Sequence, residues 1–288
     1  MINYEDVWYT SHDGLTLYAR DYQNGQASTK PPLLCMHGLT RNSADFEGLC
    51  AQLAADYRLI VVDQRGRGKS AYDSNTANYQ PAMYVQDMFT LLAHLSLSSV
   101  TLIGTSMGGI MAMMMTAMKP QMINGLIIND VGPELNPIGL ARIQGYVGQQ
   151  ANVSTWVDAA LENEKINGQA FPDYKQQDWA EFTRRTYRAD SAGKPVLNYD
   201  PAISAPIKAS QGESLLPDLW PMFDLCSDKP MLLIRGELSD LLAPSCVEEM
   251  RSRKQNLTFV EVPNVGHAPF MNEAVALSAV KQFLETIR

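Results

Sequence analysis

The stretch VTLIGTSMGGIMAMMM, residues 100–115, contains an apolar run, a serine between glycines, and a second apolar run with different spacing. The first run is typical of a buried strand and the second of a helix. Residues 104–108, GTSMG, fit the pattern G-x-S-x-G, in which a tight strand-to-helix turn exposes a serine hydroxyl. We therefore predict that Ser106 is a nucleophile at the carboxyl end of a strand.

Strands and helices alternate on both sides of this turn. The runs at 31–38 and 57–66 are continuous apolar stretches that end in loops containing glycine, which is typical of strands buried on both faces. Residues 5–22 instead alternate around the turn HDG, which predicts an antiparallel hairpin at the edge of a sheet. The pattern predicts an α/β fold with a mostly parallel, doubly wound sheet.

The alternation stops after residue 133 and resumes at residue 226. We interpret residues 1–133 and 226–288 as one α/β core, and residues 134–225 as a helical lid inserted into it. The lid contains three of the four tryptophans, Trp156, Trp179 and Trp220. Because the insertion leaves the sheet at its carboxyl edge, we expect it to cover Ser106. We expect some of these tryptophans to line an apolar substrate pocket; the alternative for each is a place in the insertion's own small core.

The composition excludes several classes of function. A net charge of -8, without a stripe of Lys and Arg, argues against nucleic acid and anionic membranes as partners. We find no basic secretory leader and no apolar stretch of about 18 residues, and we therefore expect a cytoplasmic protein. The widely spaced cysteines predict neither a metal site nor disulfides. We expect a small-molecule partner and no metal.

A serine nucleophile needs a base, and the chain offers four histidines. His12 lies in the predicted hairpin, His94 lies on a helix among apolar residues, and His37 ends a strand. His267 follows the last predicted strand, and Gly266 before it gives the loop freedom to bring the imidazole over the sheet. We predict that His267 is the base.

The third member of the site must be a carboxylate that orients His267 from another strand end. Asp240 follows the strand that contains MLLI, and Asp130 follows the strand just before the insertion. We predict Asp240 as this acid and keep Asp130 as the alternative. Glu237 is a third candidate.

The order Ser106, Asp240, His267 after consecutive strands resembles the α/β-hydrolase superfamily, specifically its lidded esterase-like and lactonase-like members. The motifs HGLT at 37–40 and DQRGRGKS at 63–70 add to the likeness, which covers nearly the whole chain. The resemblance implies Ser106 as nucleophile, His267 as base and Asp240 as acid. It also implies that no cofactor is required.

The resemblance further implies that the backbone N–H groups of Leu39 and Met107 form an oxyanion hole. Two positions depart from the family's pattern. The acid often stands at the fourth position of a Gly-x-x-Asp run, whereas Gly236 to Asp240 is one residue longer. Carbon-carbon hydrolases of this fold often have Trp after the histidine, where this chain has Ala268.

The activity implied is that of a serine hydrolase that cleaves a carboxylic ester or lactone of a small to medium apolar molecule through an acyl-enzyme. One alternative is hydrolysis of a carbon-carbon bond in a ring-cleavage product. For that reaction, arginines of the lid would hold a substrate carboxylate, the candidates being Arg142, Arg184, Arg185 and Arg188. The other alternative is a non-catalytic ligand-binding protein of the same fold.

Overall fold

The computed structural model describes residues 3–23, 30–149, 153–206 and 218–287. The strands of the main sheet are β1 (Glu5–Thr10), β2 (Thr16–Tyr22), β3 (Leu33–Met36), β4 (Leu59–Asp63), β5 (Val100–Thr105), β6 (Ile123–Asn129), β9 (Met231–Gly236) and β10 (Leu257–Val262). A separate two-stranded sheet consists of β7 (Tyr187–Ala189) and β8 (Pro195–Leu197).

The main sheet has the strand order β1-β2-β4-β3-β5-β6-β9-β10. The hairpin strand β2 pairs antiparallel with β1 and with β4, and every other neighbouring pair is parallel. The structure thus confirms the predicted α/β fold, with its mostly parallel sheet and its N-terminal antiparallel hairpin at the edge.

The α-helices of the described residues are α1 (Glu47–Leu53), α2 (Pro81–His94), α3 (Met107–Met118), α4 (Pro137–Tyr146), α5 (Trp156–Asn167), α6 (Gln176–Thr186), α7 (Trp220–Asp224), α8 (Pro244–Arg253) and α9 (Ala274–Thr286). Helices α2, α3 and α8 pack on one face of the main sheet, and α1 and α9 pack on the other. Within the described residues, no helix combines the length and the apolar character needed to cross a bilayer.

The central strands are apolar on both faces because the sheet lies between these two helix layers. In β3, Leu34 and Met36 belong to the apolar cluster of one layer, while Leu33 and Cys35 belong to that of the other. All four side chains are buried. Alternate residues of a strand point to opposite faces, so a continuous apolar run is what a strand with two covered faces requires.

Between β6 and β9 lie the helices α4 to α7 and the small sheet of β7 and β8. Ile143 of α4 and Phe223 of α7 belong to the same apolar cluster as the helices α2 and α3. The loop after β8 also hydrogen-bonds to the core, because Gly68 N–H donates to the Asn198 carbonyl at 3.0 Å. The segment therefore packs on the core as well as on itself. The proposed lid boundaries, 134 and 225, stay a prediction.

Candidate active site

Ser106 lies between β5 and α3 in a left-handed backbone conformation, with φ 54° and ψ -119°. This conformation is uncommon for a residue with a side chain. Backbone hydrogen bonds hold it, because Ser106 N–H donates to the Asn129 carbonyl at 2.9 Å and the Ser106 carbonyl accepts from Gly109 at 2.8 Å. The turn directs the hydroxyl away from the helix that it begins.

The glycines of the motif are required by close packing at this turn. A Cβ atom on Gly104 would overlap the backbone of Gly108, and a Cβ atom on Gly108 would overlap the carbonyl oxygen of Met36 in β3. A side chain at either glycine would therefore push the helix away from the sheet. The G-x-S-x-G pattern has a physical cause in this chain, which is the close approach of α3 to its neighbours.

His267 lies in the loop after β10 and contacts Ser106. Its Nε2 atom is 2.9 Å from the Ser106 Oγ atom, and its Nδ1 atom is 2.8 Å from the Asp130 Oδ2 atom. A carboxylate accepts hydrogen bonds, so Nδ1 carries the proton and Nε2 is left as the acceptor for the serine hydroxyl. In this arrangement the imidazole is oriented to take a proton from Ser106.

Asp130 follows β6 and is fully buried. Besides His267, its carboxylate accepts from Gly236 N–H at 2.8 Å and from Ser239 Oγ at 2.7 Å. These donors fix the carboxylate at the edge of the sheet. The sequence analysis did not predict a role for Ser239. The signal available for it was its position next to Asp240, one of the candidate acids.

The prediction that Asp240 orients His267 is wrong. Asp240 forms a two-pronged ion pair with Arg142 of α4, with N···O distances of 2.6 and 2.9 Å. Burial alone would raise the pKa of Asp240, but the hydrogen bonds and charge of Arg142 hold it below its ordinary value. The loop after β9 is one residue longer than the Gly-x-x-Asp run of the family's pattern. In this loop Ser239 hydrogen-bonds to Asp130, and Asp240 points toward α4.

Glu237 does not contact His267 either. Its Oε2 atom accepts a hydrogen bond from Asn264 N–H at 2.7 Å on the exposed side of the loop. The three carboxylates considered from the sequence therefore have three different partners. The alternative candidate, Asp130, is the one that the fold brings to the histidine.

Leu39 and Met107, which the family likeness implies as the oxyanion hole, are both close to Ser106 in the structure. Met107 is the first residue of α3, and Leu39 lines the cavity next to Ser106. Among the hydrogen bonds of the described residues, neither backbone N–H donates to a protein acceptor. Both are therefore available to a ligand oxygen, and the N-terminus of α3 favours negative charge there.

His37 holds the loop that contains Leu39. Its Nε2 atom accepts from Gln64 N–H at 3.0 Å, so Nδ1 carries the proton and donates to the Gly38 carbonyl at 2.7 Å. That carbonyl belongs to the same peptide unit as the Leu39 N–H. Burial lowers the pKa of His37 to about 4, so the ring stays neutral at pH 7.

We expect His37 to make the stability depend on pH. The pKa is about 4 in the folded chain and 6.5 ordinarily, so the unfolded chain binds the proton first as the pH falls. His37 therefore lowers the free energy of unfolding progressively from pH 6.5 to 4, by about 2 kcal/mol at pH 5. The destabilisation caused by His37→Asn, measured by urea unfolding, should be smaller at pH 5 than at pH 7. Equal destabilisation at both pH values would contradict this role.

A cavity of about 660 Å³ opens beside Ser106 and His267. Its apolar wall comes from the segment between β6 and β9 and from the loop after His267, the residues being Ile143, Tyr146, Phe171, Phe182, Tyr187, Leu197, Tyr199 and Phe270. The volume falls in the range of small-molecule sites, which are mainly apolar with a few polar groups.

None of the three predicted tryptophans lines this cavity. Trp179 is 2% exposed and packs within an aromatic cluster behind the cavity wall. Trp156 lies at the start of α5 beside a shallow surface depression, and Trp220 of α7 packs on the core cluster. The prediction failed because a large apolar side chain can equally pack in its own segment, as Trp179 does, on the core, as Trp220 does, or at the surface, as the 38% exposed Trp156 does.

The arginines considered as carboxylate ligands also lie elsewhere. Arg142 is paired with Asp240, and Arg184 lines the surface depression beside Trp156. Arg185 stacks on the Phe270 ring, 4.5 Å from its centroid, and Arg188 is exposed on β7. Two other cationic side chains line the cavity instead, Arg41 and Lys165.

One group of side chains within the described part of the chain has the spacing of a metal site, and it consists of His12, Asp13 and Asp87. Both carboxylates, however, accept hydrogen bonds from the guanidinium of Arg65, which is fully buried. Asp73 is a third partner of Arg65, at 2.7 Å. Arg65 of the motif DQRGRGKS is therefore the centre of an ionic network, and its guanidinium already neutralises the carboxylates of this group.

Comparison with known proteins gives extensive matches. A family model described as alpha/beta hydrolase fold matches residues 31–274. A 3-hydroxybutyrate-oligomer hydrolase from Cupriavidus necator is 32% identical over 265 residues, which are 90% of this chain and 90% of that protein. A 2-(acetamidomethylene)succinate hydrolase from Mesorhizobium japonicum is 28% identical over 275 residues, 94% of this chain and 92% of that protein.

Among solved structures, that of an alpha/beta hydrolase from Novosphingobium aromaticivorans matches with a TM-score of 0.93 and 40% sequence identity, and the match covers 99% of both chains. A crystal structure of an E-2-(acetamidomethylene)succinate hydrolase matches with a TM-score of 0.82 at 23% identity, covering 99% of this chain and 100% of the other. The second likeness concerns the fold alone.

Proposed function

The chain belongs to the α/β-hydrolase family, and we propose that it is a serine hydrolase that cleaves a carboxylic ester or lactone of a small to medium apolar molecule through an acyl-enzyme. The observation that carries the proposal is the continuous series of hydrogen bonds from Ser106 through His267 to Asp130, with lengths of 2.9 and 2.8 Å. A nucleophile, a base and an orienting carboxylate in this order are what acyl transfer by serine requires.

In the first step the Ser106 Oγ atom attacks the substrate carbonyl carbon, and its proton passes to His267 Nε2. The carbonyl oxygen becomes an oxyanion, which the N–H groups of Leu39 and Met107 stabilise. When the intermediate collapses, the carbon–oxygen bond to the alcohol breaks and His267 returns the proton to the leaving oxygen. Asp130 keeps the imidazole in the required tautomer and stabilises its cation.

In the second step a water molecule attacks the acyl carbon of the ester on Ser106. His267 takes a proton from the water and then gives it to the departing Ser106 oxygen. The products are a carboxylic acid, an alcohol and the unchanged enzyme. For a lactone, the acid and the alcohol remain in one molecule.

The cavity supports an apolar substrate of limited size. Aromatic and aliphatic side chains from the inserted segment form much of its wall, and a wall that excludes water strengthens electrostatic interactions at the oxyanion hole. A relative named for hydrolysis of 3-hydroxybutyrate oligomers supports an ester substrate, because hydroxy acids are joined by ester bonds in such oligomers. We propose that the inserted segment acts as the lid that selects this substrate.

The acyl-enzyme can be tested by partitioning between two nucleophiles. We expect p-nitrophenyl and phenyl esters of one short acid to be hydrolysed and, with added hydroxylamine, to give the same ratio of hydroxamate to free acid. The ratio is shared because both esters pass through the same acyl group on Ser106. A ratio that depends on the leaving group, or failure to cleave any ester or lactone in a panel, would contradict the proposal.

A further inference from the structure

The loop that contains Leu39 also brings an arginine to the nucleophile. A Cβ atom on Gly38 would lie 3.5 Å from the Ser106 Cβ atom and 3.6 Å from the Arg41 Cγ atom, so the two side chains are neighbours across this glycine. The Arg41 side chain is only 16% exposed and lines the cavity. The other cationic group of the lining, Lys165, is 77% exposed. Arg41 is therefore the cation that is shielded from solvent beside the serine.

The guanidinium of Arg41 is held in place on three sides. Its Nε and Nη2 atoms donate to the two carboxylate oxygens of Asp45, at 2.6 and 2.7 Å. Its carbon lies 4.3 Å from the centroid of the Phe182 ring and 5.5 Å from that of Phe270. Such contacts fix the orientation of the guanidinium plane before any ligand binds.

One edge of this guanidinium remains open. The group has five N–H donors, and Asp45 uses two of them. Nη1 makes no hydrogen bond to the described residues. Nη1 and the second hydrogen of Nη2 form a planar fork, which matches the two oxygens of a carboxylate. The open edge is thus suited to an anionic group of the ligand.

Arg65 shows in the same molecule how an arginine with this arrangement binds a second carboxylate at its other edge, where its Nη1 atom also binds Asp73. Its Nε and Nη2 atoms bind Asp87, as those of Arg41 bind Asp45. Its Nη1 and Nη2 atoms bind a second carboxylate, Asp13, at 2.8 and 3.1 Å. The edge that Asp13 occupies on Arg65 is the edge that no group among the described residues occupies on Arg41.

We infer that Arg41 binds a carboxylate of the substrate, which is an anionic end on an otherwise apolar molecule. Because a relative is named for 3-hydroxybutyrate oligomers, we infer further that the substrate is an ester of a hydroxy acid whose free carboxylate lies a few bonds from the scissile ester. This inference rests on the proposed function, since it places the ester at Ser106. Arg41 binds the carboxylate in both ground state and transition state, so its loss raises KM more than it lowers kcat.

The test compares the 3-hydroxybutyrate dimer with its primary amide, which has the same shape and no terminal charge. We expect Arg41→Gln to lower kcat/KM for the acid by about 10- to 100-fold, mainly through KM, and to affect the amide far less. Arg41→Lys, which keeps the charge but not the fork, should recover part of the loss. Arg253→Gln on α8, which removes the same charge on the surface, should keep the preference for the acid.

The double variant Arg41→Gln/Asp45→Asn controls for folding, because it leaves no unpaired carboxylate at this place. It should have the same reduced preference for the acid as the single variant. Two results would overturn the inference in an enzyme that still cleaves other esters. One is that Arg41→Gln lowers kcat/KM equally for the acid and the amide, and the other is that its preference for the acid is unchanged. Failure to cleave the dimer alone would overturn the substrate class, and failure to cleave every ester would overturn the proposed function itself.

Discussion

We expect Ser106→Ala to lower kcat for ester hydrolysis by about 10⁶-fold, the loss typical of a nucleophile removed from a serine triad. The attacking oxygen disappears, and only the oxyanion hole and substrate binding remain to assist the reaction. The Ser106 hydroxyl has His267 as its hydrogen-bond partner within the described residues. Its removal should therefore leave the fold intact, as checked by thermal unfolding.

The matched control is Ser252→Ala, which removes an exposed hydroxyl from α8, far from the cavity. It should retain native activity in the same assay. A Ser106→Ala enzyme with more than about a tenth of native kcat would show that another group is the nucleophile.

The second large effect on kcat concerns Asp130, the carboxylate that orients His267. We expect Asp130→Asn to lower kcat by about 10⁴-fold, because an amide can donate to His267 Nδ1 and so favours the wrong tautomer of the imidazole. The substitution keeps the size of the side chain. Measuring kcat from pH 6 to 9 would show whether the loss persists at every pH, as a tautomer effect requires.

Asp240→Asn is the matched control for this substitution. Asp240 also follows a strand that ends at this edge of the sheet, but it is paired with Arg142 and not with His267. The substitution therefore removes a charge near the site without removing the partner of the histidine. We expect this variant to keep most of its activity. Loss of activity in Asp240→Asn with retention in Asp130→Asn would reverse the assignment of the acid.

The fold and two members of the site could be predicted from the sequence because their signals are local. The buried strands are continuous apolar runs, and Ser106 lies between glycines that the close approach of α3 requires. His267 could be chosen because it follows the last strand and Gly266, in a loop that can bring the imidazole over the sheet, whereas His12 lies in the edge hairpin and His94 lies on a helix. These features depend on neighbours along the chain, which the sequence displays directly.

The acid could not be chosen because both aspartates follow strands that end at the same edge. Which of them reaches His267 depends on side-chain direction. Asp130 adopts a left-handed backbone conformation, with φ 58°, and Ser239 comes between Asp240 and the site. Arg142 on α4 binds Asp240 and turns it away from His267. These two residues are 98 positions apart in the chain, so the sequence does not display their contact.

The cavity wall was unpredictable for a related reason. Hydrophobicity indicates that an aromatic residue is buried, but not whether it faces a cavity or the interior of its own segment. Trp179 and Phe182 lie on the same helix and in the same aromatic cluster, yet only Phe182 lines the cavity. Arg41 lies in the loop after β3, where a charged residue is normally solvated, so its sequence position does not indicate that it lines a cavity.

The central claim is that Ser106 is the nucleophile, and the most direct test is to locate a covalent adduct. The enzyme is treated with a fluorophosphonate and examined by mass spectrometry with fragmentation. We predict one phosphonate per chain, attached to Ser106, with loss of ester hydrolysis in proportion to labelling and slower labelling in Asp130→Asn. An adduct on a different residue, or full hydrolytic activity after complete labelling of Ser106, would contradict the account.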